Sequence, residues 1–303
     1  MDIRAALRTG IARLRDAHVP SYTLAAELIL LHALRRERAY LYTHPEETIA
    51  NDKLDTFLSL LDRCANGEPT QHLTGKQEFW NLEFEVNPDV LIPRPETEHI
   101  IEVALDRLAL RELRAGRPQK TAGDGFQIAD IGTGSGCLAV TFATELPGAV
   151  IYATDISPAA LAVARRNAAR HSVTDRIHFL ESDLSRFNRQ TTLFPSSSFD
   201  LIVSNPPYVS RRAANTLARE VRDHEPAIAL YGGEEGYELY PDLVTLAADH
   251  LKPGGIFVAE LGHDSLPAVQ PLFDSQVWTS IGVTNDLAGI ARVMAAERLP
   301  SIK

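Results

Sequence analysis

The spacing of apolar residues changes along this chain of 303 residues, and the change separates its first quarter from the remainder. Near the N-terminus, apolar residues recur three or four positions apart, as in the series Ile3, Leu7, Ile11 and Leu14 and the series Leu24, Leu28 and Leu31. That spacing places each series on one face of an α-helix. The pattern predicts a helical N-terminal domain over residues 1–72, with about four helices.

Residues 73–94 carry a two-residue alternation instead. Leu82, Phe84 and Val86 alternate with glutamates, which is typical of a strand with one buried face. We expect a β-hairpin here that links the helical domain to the rest of the chain. Pro95 then begins a helix predicted to run to about residue 113, with proline at its first position.

From residue 127 onward, strand patterns and helix patterns alternate. Strands are predicted at 127–131, 149–155, 176–181, 199–204, 256–261, 277–283 and 290–295, and helices at 137–146, 157–171, 236–251 and 264–273. Such alternation favours an α/β fold with a mostly parallel sheet and helices on both faces. Ligands of such sheets bind beyond the carboxyl ends of the strands.

A glycine-rich loop follows the first of these strands in the sequence IADIGTGSGCLAV. Gly132, Gly134 and Gly136 allow a tight turn and let a ligand approach the backbone closely. The phosphate-binding pattern GxxxxGK[ST] is absent from the sequence, and the spacing also differs from the dinucleotide pattern GxGxxG. Taken alone, the loop is either a cofactor site or merely a tight turn.

Two acids at the ends of the next strands favour the cofactor site. Asp155 ends the second strand, where a carboxylate can accept hydrogen bonds from the two hydroxyls of a ribose. Asp183 ends the third strand, where its carboxylate can accept a hydrogen bond from the exocyclic amine of an adenine. Together with the glycines, the two acids describe a pocket for an adenosine.

This arrangement resembles the class I S-adenosylmethionine-dependent methyltransferases over about residues 95–295. The resemblance implies a Rossmann-like sheet of seven strands, the last one antiparallel, in a domain spanning 95–303. It also implies S-adenosyl-L-methionine as cofactor and S-adenosyl-L-homocysteine as product. The implied cofactor contacts are Gly132, Thr133, Gly134, Ser135, Gly136, Asp155, Asp183, Leu184 and Asn205, with Leu184 standing where the family commonly has an aromatic residue.

The sequence Asn205-Pro206-Pro207-Tyr208 follows the fourth strand and suits an acceptor nitrogen whose lone pair is delocalised. The Asn205 side-chain carbonyl and the Pro206 backbone carbonyl can accept the N–H groups of a planar amide or amine. Tyr208 offers a ring for stacking. An ordinary Asn-Pro turn is the alternative for the tetrapeptide alone, but its place after a glycine loop and two acids favours catalysis.

Longer segments resemble the HemK/PrmC family of protein-(glutamine-N5) methyltransferases along nearly the whole chain. They are GEPTQHLTGKQEFWNLEFEV, VLIPRPETE, NPPYV, HEPAIALYGGEEGYELY and DLAGIARV. The resemblance implies an enzyme acting on the glutamine of the Gly-Gly-Gln motif in class I peptide-chain release factors. It implies that Asn205, Pro206, Pro207 and Tyr208 form the catalytic and substrate-binding motif, that residues 92–98, including Arg94 and Glu96, line the cleft, and that the helical domain docks the release factor.

Charge and composition bear on the alternatives. A formal net charge of −10 disfavours tight nucleic-acid binding, and therefore disfavours methylation of an adenine or guanine amine in DNA or ribosomal RNA. A scaffold without catalytic activity is a further alternative. Two cysteines and no membrane-spanning run favour a cytoplasmic protein, and histidines and cysteines lack the spacing of a metal site. The segment GGEEG is predicted to be a surface turn, and the arginines at 211–222 a solvated helix face.

Overall fold

The computed structural model describes residues 1–114, 125–183 and 197–300. By its internal contacts the chain forms two compact units. One comprises Met1–Lys76, Val86–Pro88 and Leu217–Glu225, and the other comprises Gln77–Glu85, Asp89–Thr216 and Pro226–Lys303. The helical unit thus takes in two later segments of the chain that lie outside its predicted range of residues 1–72, and the domain boundaries at residues 72 and 94 stay predictions.

The N-terminal unit is built mainly from helices. They are α1 (Ile3–Asp16), α2 (Tyr22–Leu34), α3 (Arg38–Thr43), α4 (Asn51–Ala65) and α5 (Thr70–Thr74). Asp2 begins α1 as an N-cap, because its carboxylate accepts the N–H of Ala5 at 2.7 Å. Ile3 and Leu14 are buried as the spacing predicted.

Helix α2 buries a different face from the predicted one. Leu24 and Leu28 are 45% and 38% exposed, whereas Ile29 and Leu30 are fully buried. The sequence of α2 is apolar around most of its circumference, so periodicity alone does not distinguish the face that packs against the other helices.

The second unit contains a seven-stranded sheet. In chain order its strands are β3 (Gln127–Ile131), β4 (Val150–Asp155), β5 (Ile177–Glu181), β6 (Phe199–Ser204), β9 (Leu251–Glu260), β10 (Trp278–Asn285) and β11 (Ala291–Arg298). The spatial order is β10-β11-β9-β6-β3-β4-β5. Strands β5, β4, β3, β6 and β9 are parallel neighbours, and β11 pairs antiparallel with both β9 and β10. The expected sheet with an antiparallel last strand is confirmed.

Helices cover both faces of this sheet. They include α6 (Glu98–Arg114), α7 (Cys137–Glu145), α8 (Pro158–Arg170) and α11 (Tyr240–His250). Between α8 and α11 in the sequence are two short helices, α9 (Arg219–His224) and α10 (Ala227–Leu230). Successive residues of each strand point to opposite faces. On β3, Ile128 packs into the core with α6 and α7, while Ala129 packs into the core with α11.

A hairpin of β1 (Lys76–Phe79) and β2 (Leu82–Glu85) packs against α8. Trp80 and Asn81 both have positive φ, as the tight two-residue turn of a hairpin requires. Asn167 on α8 exchanges two hydrogen bonds with the backbone of Glu85, at 2.7 and 3.0 Å. The same Asn167 amide donates to the carbonyl of Ser135 at 2.8 Å, so one side chain joins the hairpin to the glycine-rich loop.

Three elements have a boundary that differs from the prediction by four residues or more. Helix α11 begins at Tyr240 rather than at 236, with Pro241 in its first turn. The helix predicted at 264–273 is only α12 (Leu266–Val269) followed by a 3-10 turn. Strand β9 begins at Leu251 rather than at 256, because a register shift against β6 accommodates the Pro-Gly-Gly sequence that resembles a turn.

The carboxylate of Asp200 on β6 ties helix α6 to the sheet. It accepts the backbone N–H of Gln127 at 3.0 Å and pairs with Lys252 at 2.6 Å and Arg111 at 2.8 Å. Burial by itself raises the pKa of Asp200, but these three donors outweigh it and leave the pKa below its usual value. Such a carboxylate stabilises the fold above its unfolded-state pKa, and the stabilisation is lost as pH falls through the folded-state pKa.

Asp200→Asn should lower the free energy of unfolding by about 2–3 kcal/mol at neutral pH, because two cations lose their buried partner. Urea denaturation followed by circular dichroism measures the change. The exposed Asp249→Asn is the control and should change stability by less than about 0.5 kcal/mol. The difference between wild type and Asp200→Asn should narrow as pH falls through the pKa of Asp200, and a difference independent of pH would contradict this account.

Candidate functional site

A cavity of about 290 Å³ opens at the carboxyl ends of the parallel strands. Its lining combines the glycine-rich loop after β3, the ends of β4 and β5, and the segment after β6. Among the predicted site residues, the lining includes Gly132, Thr133, Gly134, Ser135, Asp155, Asp183, Asn205, Pro206 and Pro207. The structure therefore brings the cofactor motif and the Asn-Pro-Pro motif to one cavity, at the edge where a parallel sheet is expected to bind ligands.

The glycine-rich loop has the backbone conformation that its glycines predict. Gly132, Gly134 and Gly136 all have positive φ, at 77°, 53° and 81°. A Cβ atom at Gly136 would lie 3.0 Å from the Cβ of Ala164 on α8, so this position requires glycine for packing as well. Gly136 does not line the cavity. It lets α7 begin close to α8, and this packing supports the loop.

Asp130 on β3 holds the loop from the sheet side and was not foreseen as a functional residue. Its Oδ2 accepts the hydroxyl of Thr133 at 2.6 Å and the N–H of Ala139 at 3.2 Å. Burial raises the pKa of Asp130 to about 7, although these two donors oppose the rise. The sequence signal was an acid one position before the end of an otherwise apolar strand.

Asp155 ends β4 and orders the backbone around it. Its two carboxylate oxygens accept the N–H of Gly134 at 2.8 Å and the N–H of Ser157 at 2.9 Å. Each oxygen keeps a second lone pair, so the carboxylate can accept further hydrogen bonds from a ligand. Burial raises the pKa of Asp155, with the two N–H groups acting against it.

Two further side chains belong to this part of the cavity, the carboxylate of Asp183 and the thiol of Cys137. Asp183 follows β5 and lines the cavity beside Ser182, whereas Leu184 lies outside the described residues. Cys137 also lines the cavity, and burial raises its pKa to about 12. The thiol therefore stays protonated at neutral pH and does not compete as a nucleophile for an electrophilic ligand.

The Asn-Pro-Pro-Tyr motif extends from the end of β6. Asn205, Pro206 and Pro207 line the cavity, while Tyr208 is not part of the lining. The ring of Tyr208 lies against Gly262, where a Cβ would be 3.0 Å from the Tyr208 Cβ. The Tyr208 hydroxyl donates to Oε1 of Glu260 at 2.9 Å.

Glu260 and Thr97 form a buried hydrogen-bonded chain with the motif, and neither residue was predicted to belong to the site. The amide Nδ2 of Asn205 donates to Oγ1 of Thr97 at 3.0 Å, and the Thr97 hydroxyl donates to Oε2 of Glu260 at 2.7 Å. Thr97 and Glu260 are each only 1% exposed. Burial raises the pKa of Glu260, against the effect of its two hydroxyl donors Thr97 and Tyr208.

The segment GGEEG packs against the motif through its buried glycines Gly232 and Gly236, while Glu234 and Glu235 form the exposed turn that the sequence predicts. Strands β7 (Val209–Ser210) and β8 (Tyr231–Gly233) pair in parallel, which places the glycines against the motif. A Cβ at Gly232 would collide with the carbonyl oxygen of Pro207, and one at Gly236 with the carbonyl oxygen of Tyr208. Both glycines are required for this close approach.

Several predicted features lie outside the cavity or lack support from the geometry. Arg94 and Glu96 flank the start of a 3-10 helix, Pro95–Thr97, and neither lines the cavity, so their substrate roles stay predictions. Within the described residues, no group of three or more histidine, cysteine or acidic side chains is placed to hold a metal ion. No helix in that part of the chain is long and apolar enough to cross a bilayer.

Two solved structures share this fold at low sequence identity. A methyltransferase from Pyrococcus furiosus superposes with a TM-score of 0.51 at 18% identity, covering 73% of this chain and 91% of that one. The hMettl16 catalytic domain superposes with a TM-score of 0.52 at 15% identity, covering 80% and 84% of the two chains. At such identities the likeness concerns the fold.

The sheet order, the glycine loop after β3 and the acid ending β4 define a class I S-adenosylmethionine-dependent methyltransferase. The PrmC N-terminal domain model matches residues 5–75, and the Methyltransferase small domain model matches 118–224. The chain is 41% identical to the release factor glutamine methyltransferase of Koribacter versatilis, over 98% of this chain and 99% of that protein. It is 39% identical to that of Nitratidesulfovibrio vulgaris, over 98% and 95%. The chain belongs to the release factor glutamine methyltransferase family.

Gly232→Ala should lower the rate of methyl transfer to a release factor about 10- to 100-fold, because the added methyl group would displace Pro207 and with it the Asn-Pro-Pro segment that lines the cavity. Gly282→Ala is the matched control, since the new Cβ would meet only the flexible end of Arg107. Initial rates with radiolabelled S-adenosylmethionine measure both variants. Equal rates for Gly232→Ala and wild type would show that this packing does not position the motif.

Proposed function

We propose that this protein transfers a methyl group from S-adenosyl-L-methionine to the side-chain amide nitrogen of the glutamine in the Gly-Gly-Gln motif of class I peptide-chain release factors. The observation that carries the proposal is the placement of Asn205 and Pro206 in one cavity with the glycine loop and Asp155. The near full-length similarity to release factor glutamine methyltransferases supports the substrate.

The residues around the glycine loop fit the cofactor. Gly132 and Gly134 have open space where a Cβ would stand, so a ligand can lie directly against the backbone. In this proposal the segment from Gly132 to Gly136 holds the methionine portion, Asp155 accepts the ribose hydroxyls, and Asp183 with Leu184 holds the adenine. Asn205 lies at the junction of the cofactor and substrate sites.

The chemistry requires little from the protein beyond orientation. S-adenosylmethionine supplies an electrophilic methyl group on a sulfonium and leaves as S-adenosylhomocysteine. The glutamine amide nitrogen is a weak nucleophile, because its lone pair is delocalised into the carbonyl. Asn205 and Pro206 offer two carbonyl oxygens, which accept the two N–H groups and stabilise the positive charge that develops on nitrogen. The methylated nitrogen then loses one proton to water, and a general base is not needed.

Tyr208 has a supporting role in this proposal. Its hydroxyl is engaged by Glu260, and its pKa is raised well above the usual value by burial and by the Glu260 charge. The phenol therefore remains protonated and does not act as a base at neutral pH. It supports the backbone carbonyls of Pro206 and Pro207 and packs near the substrate.

The remaining assignments belong to the same proposal. The helical unit docks the release factor, Arg94 and Glu96 contribute to the substrate cleft, and the protein acts in the cytoplasm without binding nucleic acid directly. The net charge of −10 supports the last point, because phosphate neutralisation requires an excess of basic residues.

The direct test incubates the purified protein with S-adenosylmethionine and an unmodified, folded release factor, followed by tandem mass spectrometry. We expect one methyl group on the glutamine of Gly-Gly-Gln. A release factor with Gly-Gly-Ala in that position is the control and should remain unmodified. Transfer to an adenine-containing oligonucleotide or ribosomal RNA, and none to the release factor, would replace this proposal by a nucleic-acid substrate.

Asn205→Ala should reduce turnover about 100-fold or more while S-adenosylmethionine still binds, because an acceptor of the substrate amide is removed. Isothermal titration calorimetry measures cofactor binding, and the release factor assay measures turnover. The exposed Asn215→Ala is the control and should resemble wild type. Complete loss of cofactor binding in Asn205→Ala would assign this residue mainly to the cofactor site.

Asp155→Ala should weaken S-adenosylmethionine binding about 10- to 100-fold, because a charged acceptor is lost and two loop N–H groups lose their partner. The same calorimetry compares it with Asp175→Ala, an exposed acid beyond α8. Unchanged affinity in Asp155→Ala would place the ribose elsewhere.

A further inference from the structure

The buried chain that links Asn205, Thr97 and Glu260 determines which end of the Asn205 amide faces the cavity. An asparagine side chain has a donor NH₂ end and an acceptor carbonyl end, and either can be presented after a half-turn. The chemistry proposed above works with only one of them, because the substrate amide brings N–H donors. The polarity of Asn205 is therefore a functional variable that some neighbour must control.

The Thr97 hydroxyl controls the polarity of the Asn205 amide, because it has only one proton to donate. A hydroxyl can donate one hydrogen bond and accept others. Thr97 donates its proton to Oε2 of Glu260 at 2.7 Å, so its oxygen can only accept from Asn205, which lies 3.0 Å away. Only the Nδ2 end of the Asn205 amide can make that bond. The carbonyl oxygen Oδ1 is then directed away from Thr97.

Glu260 sets the direction of the Thr97 proton because both of its carboxylate oxygens are used as acceptors. Tyr208 donates to Oε1 at 2.9 Å, and the backbone carbonyl of Glu260 accepts the hydroxyl of Tyr240 at 2.7 Å. Hydrogen bonds from Thr97 and Tyr208 hold the two carboxylate oxygens, and the bond from Tyr240 holds the backbone beneath them. Burying a carboxylate this deeply costs free energy, which a purely structural position could avoid with an apolar side chain.

We propose that Glu260 and Thr97 are positioning residues that fix the amide polarity of Asn205, so that the cavity presents a carbonyl acceptor to the substrate nitrogen. This inference rests on the proposed function for its kinetic consequence. It explains why the site selects an acceptor nitrogen that carries N–H groups. A substrate carboxylate would meet the Asn205 carbonyl without a donor and would be rejected.

The kinetic test compares Thr97→Val with Thr97→Ser, which differ in the presence of the hydroxyl. Thr97→Val should lower kcat toward the release factor about 10- to 100-fold with little change in cofactor affinity, since Asn205 loses the partner that orients it. Thr97→Ser should restore kcat to within about threefold of wild type. Equal losses in the two variants would mean that Thr97 contributes packing alone and would overturn the proposal.

Glu260→Gln provides a second variant of nearly the same shape. The new NH₂ group can donate to Thr97, which frees the Thr97 proton to bond with Asn205 and favours the reversed amide. We expect kcat to fall about 10- to 100-fold while the folded state and cofactor binding persist. Wild-type kcat in Glu260→Gln would overturn the role of Glu260.

A spectroscopic readout tests amide polarity without any methyl acceptor. In protein labelled with ¹⁵N-asparagine, the side-chain NH₂ signals of Asn205 are assigned by their loss in Asn205→Ala. These signals should move in Thr97→Val and Glu260→Gln and stay close to wild type in Thr97→Ser. Unmoved signals in both of the first two variants would overturn the inference. If wild type fails to methylate the release factor, the proposed function fails, while this measurement still decides the polarity of Asn205.

Discussion

The site depends on the hydrogen bonds that carboxylates buried near the carboxyl edge of the sheet accept from the chain around them. Asp130 lies one position before the end of β3, Asp155 and Glu260 end β4 and β9, and burial raises the pKa of all three. Their hydrogen bonds come from backbone N–H groups and hydroxyls. Each carboxylate thereby fixes the conformation of the backbone or the side chain that donates to it. The segments fixed in this way line the cavity.

The glycines complement the carboxylates by allowing close approach. Around the Asn-Pro-Pro-Tyr motif, Gly232, Gly236 and Gly262 stand where any larger residue would press on Pro207 or Tyr208. Hydrogen bonds hold the motif on one side and backbone packing holds it on the other. In the proposed reaction, a motif held in this way needs little reorganisation when charge develops on the substrate.

The parts of the site that arise from short-range structure were predictable from the sequence. Glycines after a strand and acids at strand ends are visible in a local pattern, and the parallel sheet brings them together. The Thr97–Glu260 hydrogen bond joins residues 163 positions apart, and no local sequence pattern indicates it. The packing of Gly232 against Pro207 was not predicted either, because a pair of glycines is also typical of ordinary turns. The face of α2 was mispredicted because its apolar residues surround the helix.

The helical unit is assembled from three separated stretches of chain, and this has a consequence for biosynthesis. Its third stretch, Leu217–Glu225, contains the short helix Arg219–His224 and is translated only after most of the sheet strands. At roughly 5–20 residues per second, that helix leaves the ribosome on the order of ten seconds after α5. The N-terminal helices are therefore synthesised well before the last element of their unit. The unit reaches its full set of contacts only after the Asn-Pro-Pro-Tyr motif has been synthesised.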